Sequence, residues 1–186
     1  MLKLTIPNVL TLVRISLIPI LVVVFYSPIQ HSNIFTAIIF AVAAITDWLD
    51  GYLARKLHQF SDFGKFLDPV ADKLIVAVAL VLLVETHADL FLSIPAAIII
   101  GREIVISALR EWMAEIGKSA HVAVSYIGKI KTTLQMLAII SLLSVDSGAN
   151  NLVELLGYIL LYLSVVLTIW SMFLYLKAAK DNIADK

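Results

Sequence analysis

The sequence predicts an all-α, polytopic membrane protein with six transmembrane helices, both termini in the cytoplasm and a polar cavity at the cytoplasmic side. Its apolar content is the first reason, because 61% of the 186 residues are hydrophobic, 15% are charged and the mean hydropathy is +0.97. A soluble domain has about 45–50% apolar and about 25% charged residues. Six separate apolar stretches and a one-sided distribution of Lys and Arg are the other reasons. The length permits a single domain over residues 1–186.

The six predicted helices are apolar stretches close to the length that a bilayer requires, which is about 20 residues. Pro7 and Pro69 suit the first positions of helices, where a missing N–H costs little. Pro19 and Pro95 lie inside spans, where lipid-embedded helices tolerate proline. The turn-forming segment "DSGANN" separates the last two stretches. The predicted spans are residues 8–26, 34–53, 69–84, 90–113, 126–145 and 152–176.

The distribution of positive charge predicts the orientation. None of the 14 Lys and Arg residues falls in the three loops at residues 27–33, 85–89 and 146–151. The opposite side carries both termini and the two remaining loops, which contain Arg55, Lys56, Lys65, Lys118 and Lys129. Because cytoplasmic loops are enriched in Lys and Arg, both termini are predicted to be cytoplasmic.

Four aspartates lie at the end of the second span and around the start of the third, where an apolar chain would not be expected to accept them. Asp47 and Asp50 lie on one face of a helix, and so do Asp68 and Asp72, since residues three or four apart are neighbours. The second pair is expected to begin the third helix, with Asp68 as its cap and Pro69 as its first residue. A hairpin through loop 56–65 would bring the two acidic faces together. Such an array of oxygen ligands favours a divalent cation, Mg²⁺ or Mn²⁺.

A simpler interpretation is that these acids are solvated interfacial charges, or an N-cap with scattered ion pairs, as expected for Asp62 in its loop. Gly51, Ala54 and Gly64 add no bulk to the acidic faces, so either a ligand or a neighbouring helix could approach there. Both interpretations stay open at the level of spacing.

The whole stretch reads Asp47-x2-Asp50-Gly51-x2-Ala54-Arg55-x8-Gly64-x3-Asp68-x3-Asp72. With all eight positions matching, it resembles the signature of the CDP-alcohol phosphatidyltransferases. The resemblance continues through "IPNVLTLVRI", "GREIVISALREWMAEIGK" and "VSYIGKIKTT". These flanking segments are most similar to the bacterial members that use glycerol 3-phosphate.

The resemblance implies an enzyme that transfers a phosphatidyl group from CDP-diacylglycerol to sn-glycerol 3-phosphate and releases CMP. It implies a site at the cytoplasmic face of the bacterial inner membrane, two metal ions and a homodimer. Asp47, Asp50 and Asp68 would be metal ligands. Asp72 would lie near the second metal or act as the general base.

The resemblance also implies which residues contact CDP-diacylglycerol. For the first-helix residues among them, N-terminal capping and an interfacial arginine are the simpler alternative. Arg55 would supply a fixed charge for the phosphates. The implied contacts are Asn8, Thr11, Arg14, Gly51, Ala54 and Arg55.

An anionic acceptor requires a basic subsite, and the resemblance points to Arg102, Arg110, Lys129 and Lys131. Basic side chains near helix ends often reach only for the membrane surface. That explanation suits Arg102 poorly, because it lies about three turns inside its predicted span. Glu103 beside it indicates a polar stripe that faces a cavity.

Two other functions are compatible with parts of the pattern. A cation channel or transporter would explain the acids as an ion path, but not the Gly, Ala and Arg positions between them. The same chemistry with inositol phosphate, serine or phosphatidylglycerol as acceptor would explain the signature. A neutral acceptor would have less use for Arg102 and Arg110.

Overall fold

The computed structural model describes residues 5–57, 62–116, 126–146, 148 and 151–184. This part of the chain is helical apart from short connections, which confirms the all-α prediction. Its six helices are α1 (Ile6–Phe25), α2 (Ser32–Leu57), α3 (Asp62–His87), α4 (Leu90–Glu115), α5 (Tyr126–Leu143) and α6 (Leu152–Ala184).

Three helices in the described part of the chain are long and apolar enough to cross a membrane. They contain the segments Pro7–Phe25, Leu90–Glu115 and Leu152–Lys180. A shorter apolar segment, Ser32–Asp47, makes up the first part of α2. These helices fit a membrane protein, since about 20 apolar residues span the hydrocarbon core.

The start of α3 differs from its prediction. The helix begins at Asp62 and Pro69 lies inside it, so the predicted cap at Asp68 and the predicted loop position of Asp62 are wrong. The prediction used the preference of proline for the first helical turn. An internal proline removes one backbone hydrogen bond and can bend a helix without ending it. Asp68 and Asp72 still share a helical face, because they are four residues apart.

The helices pack around one apolar core. α1 contacts α2 and α3, α4 contacts α3 and α6, and α5 contacts α2, α3 and α6. Because only two residues separate α3 from α4 and the two helices pack together, the N-terminal end of α3 lies at the same end of the bundle as the C-terminal end of α4. The fully buried core side chains include Leu21, Phe40, Leu80, Leu83, Leu92, Ile99, Ile139, Leu142 and Leu161.

Gly157 sets the distance between α5 and α6. A Cβ atom at this position would lie 2.7 Å from Cγ of Leu142, which is itself fully buried. We expect Gly157→Ala to lower the free energy of unfolding by about 1–3 kcal/mol, the usual cost of overpacking. Thermal unfolding in detergent measures the change.

Gly101→Ala is the matched control, because a Cβ on this α4 glycine would meet no atom within 4 Å. It should be neutral or slightly stabilising, since glycine inside a helix costs about 0.5–1 kcal/mol relative to alanine. Equal melting temperatures for the two variants would contradict the close packing of α5 on α6.

Candidate active site

A buried arginine lies at the centre of the acidic residues. Arg14 of α1 is fully buried, and its guanidinium donates to Oδ1 of Asp47 at 3.1 Å. It also donates to the carboxylates of Asp50 and Asp72. The Asp50 side chain is only 5% exposed, whereas those of Asp47 and Asp72 are 39% exposed. Acids from α2 and α3 therefore converge on one cationic group, at a place that remains open on one side.

The fourth aspartate is held by the same helix. Thr11 of α1 is fully buried, and its hydroxyl donates to Oδ1 of Asp68 at 2.5 Å. The hydroxyl oxygen of Thr11 also lies 3.1 Å from the carbonyl oxygen of Pro7. Asn8 precedes Thr11 by three residues and is also buried. One face of α1 thus carries the three polar residues, and this face packs against the acidic parts of α2 and α3.

This geometry decides against the simpler interpretation of the first helix. The N-cap of α1 is Thr5, and its side chain makes no capping hydrogen bond. Arg14 has no exposed surface, so it does not extend to the membrane interface. A buried arginine requires acidic partners, because an unpaired charge inside a protein is strongly unfavourable. The acids that surround it are therefore not simply solvated charges.

A second polar cluster forms between α4, α5 and α6. Oε1 of Glu103 lies 2.8 Å from Nη1 of Arg102 and 2.8 Å from Nζ of Lys131. Arg102 also donates through Nη2 to the hydroxyl of Ser171, at 3.2 Å. The cluster has two cations and one anion, so it keeps a net positive charge.

Tyr175 extends this basic cluster toward the end of the bundle. Its hydroxyl accepts from Arg110, and the Arg110 guanidinium carbon lies 4.8 Å from the ring centroid. Arg102 lies 5.8 Å from the same centroid. Lys129 is exposed like Arg110, but it differs from the other predicted basic residues because it makes none of these contacts. Residues two positions apart on a helix are separated by about 200° around its axis, so Lys129 and Lys131 lie on different sides of α5.

One contact joins the two clusters. Lys73 directly follows Asp72 on α3 and donates to the hydroxyl of Ser107 on α4. Ser107 lies one turn beyond Glu103 and one turn before Arg110. The acidic and basic clusters therefore lie at the same end of the bundle, on either side of the α3–α4 contact.

Three predicted contact residues cannot be described at the level of side chains. Gly51, Ala54 and Arg55 lie in the last two turns of α2, but their side chains lie outside the described part of the structure. On the helix, Gly51 directly follows Asp50, and the other two lie about one turn further on.

Comparison with known sequences identifies the family. The sequence pattern of the CDP-alcohol phosphatidyltransferases matches residues 4–170. The chain belongs to this family. Proteins called CDP-diacylglycerol–glycerol-3-phosphate 3-phosphatidyltransferase are similar along nearly the whole chain. The one from Haemophilus influenzae is 54% identical over 183 residues, which cover 98% of this chain and 97% of the relative.

Two further relatives with the same name support the assignment. The protein from Salmonella choleraesuis is 54% identical over 97% of this chain and 98% of its own length. The protein from Pectobacterium atrosepticum is 53% identical over 97% of both chains. A CDP-alcohol phosphatidyltransferase accounts for the Gly, Ala and Arg positions, which an ion path did not.

CDP-alcohol phosphatidyltransferases generally use divalent metal ions. As the described side chains stand, no three His, Asp or Glu groups are arranged to hold a metal ion. The Arg14 guanidinium lies among three of the four aspartates instead. These carboxylates offer only oxygen ligands, and they already converge on one cation, so the donor set fits Mg²⁺ or Mn²⁺.

Several members of the two clusters were not predicted from the sequence. Tyr175 and Ser171 lie four residues apart near the end of α6, in a stretch that otherwise looks apolar. Lys73 was not predicted either, although it directly follows Asp72. The available indication was the position of Arg102 well inside an apolar helix, since a cation there needs polar partners on the neighbouring helices.

Proposed function

We propose that this chain transfers a phosphatidyl group from CDP-diacylglycerol to sn-glycerol 3-phosphate, giving phosphatidylglycerophosphate and CMP. The observation that carries the proposal is an acidic and a basic cluster side by side at one end of the bundle. Relatives that match nearly the whole chain have the corresponding name. The diphosphate of the donor needs an acidic site that holds metal ions, and the phosphate of the acceptor needs a basic site.

The basic cluster would bind the phosphate of glycerol 3-phosphate. Arg102, Arg110 and Lys131 are held by neighbouring side chains, so little conformational entropy is lost when they bind an anion. Glu103 bonds to two of these cations and fixes their positions. Lys129 would contact the acceptor from the exposed edge of this subsite.

The four aspartates would hold the metal ions. Asp47, Asp50, Asp68 and Asp72 provide ligands for two Mg²⁺ or Mn²⁺ ions, which when bound would neutralise the diphosphate and polarise the attacked phosphorus. Arg14 lies among the same acids, so it is positioned to exchange carboxylate partners for phosphate oxygens of the donor. Such an exchange would free the acids as the substrate enters.

Asp72 is proposed as the general base. It would take the proton from the terminal hydroxyl of glycerol 3-phosphate while that oxygen bonds to the phosphorus that carries diacylglycerol. The bond from this phosphorus to the CMP phosphate oxygen breaks, and CMP leaves with the electron pair. The Asp72 side chain is 39% exposed, which permits the acceptor to approach and the proton to pass to water.

The donor nucleotide would lie along α1 and the end of α2. The proposed contacts on α1 are polar residues near the N-terminus. Those on α2 follow the first two aspartates. Buried polar groups on α1 provide donors, and the small α2 residues leave room for the cytidine. The proposed contacts are Asn8, Thr11, Arg14, Gly51, Ala54 and Arg55.

The wider setting is also a proposal. A single domain over residues 1–186 would cross the bacterial inner membrane six times, with both termini and the active site facing the cytoplasm. The absence of Lys and Arg from three loops of the sequence supports this orientation. The acyl chains of the donor could then stay in lipid while the cytosolic acceptor reaches the site. We further propose a homodimer formed through membrane helices.

One assay tests the proposed reaction. Purified protein in detergent with CDP-diacylglycerol and Mg²⁺ or Mn²⁺ should release CMP only after glycerol 3-phosphate is added. Release with serine, inositol phosphate or phosphatidylglycerol would reassign the acceptor. If no alcohol supports release, the enzyme proposal fails.

The basic subsite makes a specific kinetic prediction. Arg110→Ala should raise the KM for glycerol 3-phosphate by roughly ten- to a hundredfold, because a charged hydrogen bond to phosphate contributes about 1.5–3 kcal/mol. The value of kcat should change less, since the contact exists before the reaction. Steady-state kinetics with varied acceptor measure both.

Lys177→Ala provides the control for Arg110→Ala, since Lys177 is an exposed cation near the same end of α6. Its acceptor KM should match that of the unaltered protein. An unchanged KM in Arg110→Ala would remove Arg110 from the subsite.

A further inference from the structure

A cavity lies at the opposite end of the bundle from the aspartates. It has a volume of about 770 Å³ and is bounded by the end of α3, the start of α4 and the start of α6. His87, Asp89, Glu154 and Tyr158 line it. His87 follows Asp72 by 15 residues on α3, which corresponds to about 22 Å along the helix. The cavity is therefore separate from the proposed catalytic centre.

The charge of this cavity is negative. Asp89 and Glu154 line it, and none of the described residues around it is a lysine or arginine. Glu154 is buried and its Oε1 accepts from the backbone N–H of Gly148, at 2.9 Å. Asp89 accepts from the Leu92 N–H and from the hydroxyl of Tyr158. Anions are excluded from such a place, and a cation is favoured.

His87 adds an acceptor that the protein leaves unused. Its side chain is 3% exposed, and Nε2 is buried without a hydrogen-bond partner among the described residues. Nδ1 lies 3.0 Å from the Leu83 carbonyl oxygen and 3.2 Å from the Thr86 hydroxyl oxygen. We assign the proton to Nδ1, because the carbonyl can only accept and the Thr86 hydroxyl donates to backbone carbonyls of α3. Nε2 of the neutral ring is then an acceptor, and it lies 3.9 Å from Oε1 of Glu154. Because His87 and Glu154 both line the cavity, a ligand with several N–H donors suits these two acceptors.

An apolar groove continues from this cavity along α6. Tyr158 and Tyr162 line both spaces, and the groove runs on past Ile159 and Leu163 to Val166. From Tyr158 to Val166 the helix rises by about 12 Å toward the middle of the bundle. The exposed apolar side chains Ile159, Leu163 and Val166 belong to a helix that is apolar enough to span a membrane. A polar cavity with an apolar extension matches a head group with an acyl chain.

From this geometry we infer that the cavity binds the primary ammonium head group of a membrane lipid, with an acyl chain in the groove along α6. A primary ammonium has three N–H donors, enough for His87 Nε2 and the carboxylate of Glu154. The ring of Tyr158 adds an aromatic face beside the positive charge. A quaternary ammonium has no N–H group and cannot satisfy Nε2.

A comparison of two lipids tests this site. Purified protein in detergent is titrated with short-chain lipids that have identical acyl chains and either an ethanolamine or a choline head group. Native mass spectrometry gives the Kd, and the rise in melting temperature gives a second measure. The ethanolamine lipid should bind about tenfold or more tightly than the choline lipid, since charged hydrogen bonds distinguish them.

Two variants locate the effect. His87→Phe keeps an aromatic ring beside Tyr158 but removes the acceptor, and Glu154→Gln removes the charge. Each should abolish the preference for ethanolamine. Glu85→Gln is the matched control, because Glu85 lies near the same end of α3 but bonds to Tyr26 instead. It should keep the preference.

Three results would overturn the inference. Equal affinity for the two lipids would remove the ammonium recognition, and an unchanged preference in both variants would place it elsewhere. Equal binding of free ethanolamine and the ethanolamine lipid would exclude the groove and the lipid source. The lipid comparison needs no variant to fold, and none of these measurements depends on catalysis.

Discussion

Asp72→Asn is expected to lower kcat by about 10²–10⁴-fold, the usual contribution of a positioned general base. The amide keeps the shape of the side chain and can still bond to neighbouring groups. It cannot take the proton of the acceptor hydroxyl, and it is a weaker metal ligand. CMP release at saturating concentrations of both substrates measures the loss.

We expect a similar loss of kcat for Asp68→Asn. Asp68 accepts a hydrogen bond from Thr11 and is a proposed metal ligand. Asp146→Asn is the control, because Asp146 is an exposed acid at the opposite end of the bundle, bonded to Asn33 at 2.5 Å. Melting temperatures show that each variant is folded. Near-normal kcat in Asp72→Asn would exclude Asp72 as the base.

Removal of the central cation should have the largest effect on stability. Arg14→Gln is expected to lower the free energy of unfolding by about 3–5 kcal/mol in the absence of divalent ions, as when one partner of a buried ion pair is lost. Asp47, Asp50 and Asp72 would then repel one another without a compensating charge. Addition of Mn²⁺ should restore part of the loss, because the same carboxylates would bind it. Chemical or thermal unfolding with and without Mn²⁺ measures both effects.

Two variants serve as controls for Arg14→Gln. Arg14→Lys keeps the charge and should lose less stability. Arg102→Gln removes another largely buried cation, whose partner Glu103 has no second acid beside it among the described ion pairs. It should lose stability without recovery by Mn²⁺. Equal recovery of both Gln variants would contradict a cation site at the aspartates.

The spacing of the aspartates anticipated much of the site. Positions three and four residues apart predicted two acidic faces, and Asp47, Asp50 and Asp72 do meet at one group. The spacing could not identify that group, because the packing of α1 against α2 and α3 is a tertiary contact with no local pattern. The buried Arg14 appears in sequence only as a charge in an apolar stretch.

Local preferences account for the predictions that failed. The preference of proline for helix starts placed the beginning of α3 at Pro69, but the segment before it is also helical. The expectation that Lys129 and Lys131 belong to one acceptor subsite stays a prediction, although residues two positions apart lie on different sides of α5.

The transfer of glycerol 3-phosphate into lipid tests the central claim most directly. The protein in proteoliposomes with CDP-diacylglycerol and Mn²⁺ is given radiolabelled glycerol 3-phosphate, and both the extractable labelled lipid and the released CMP are counted. We predict one labelled lipid for each CMP, with neither formed when a chelator is present. CMP release without labelled lipid would show hydrolysis of the donor, and it would contradict phosphatidyl transfer to glycerol 3-phosphate.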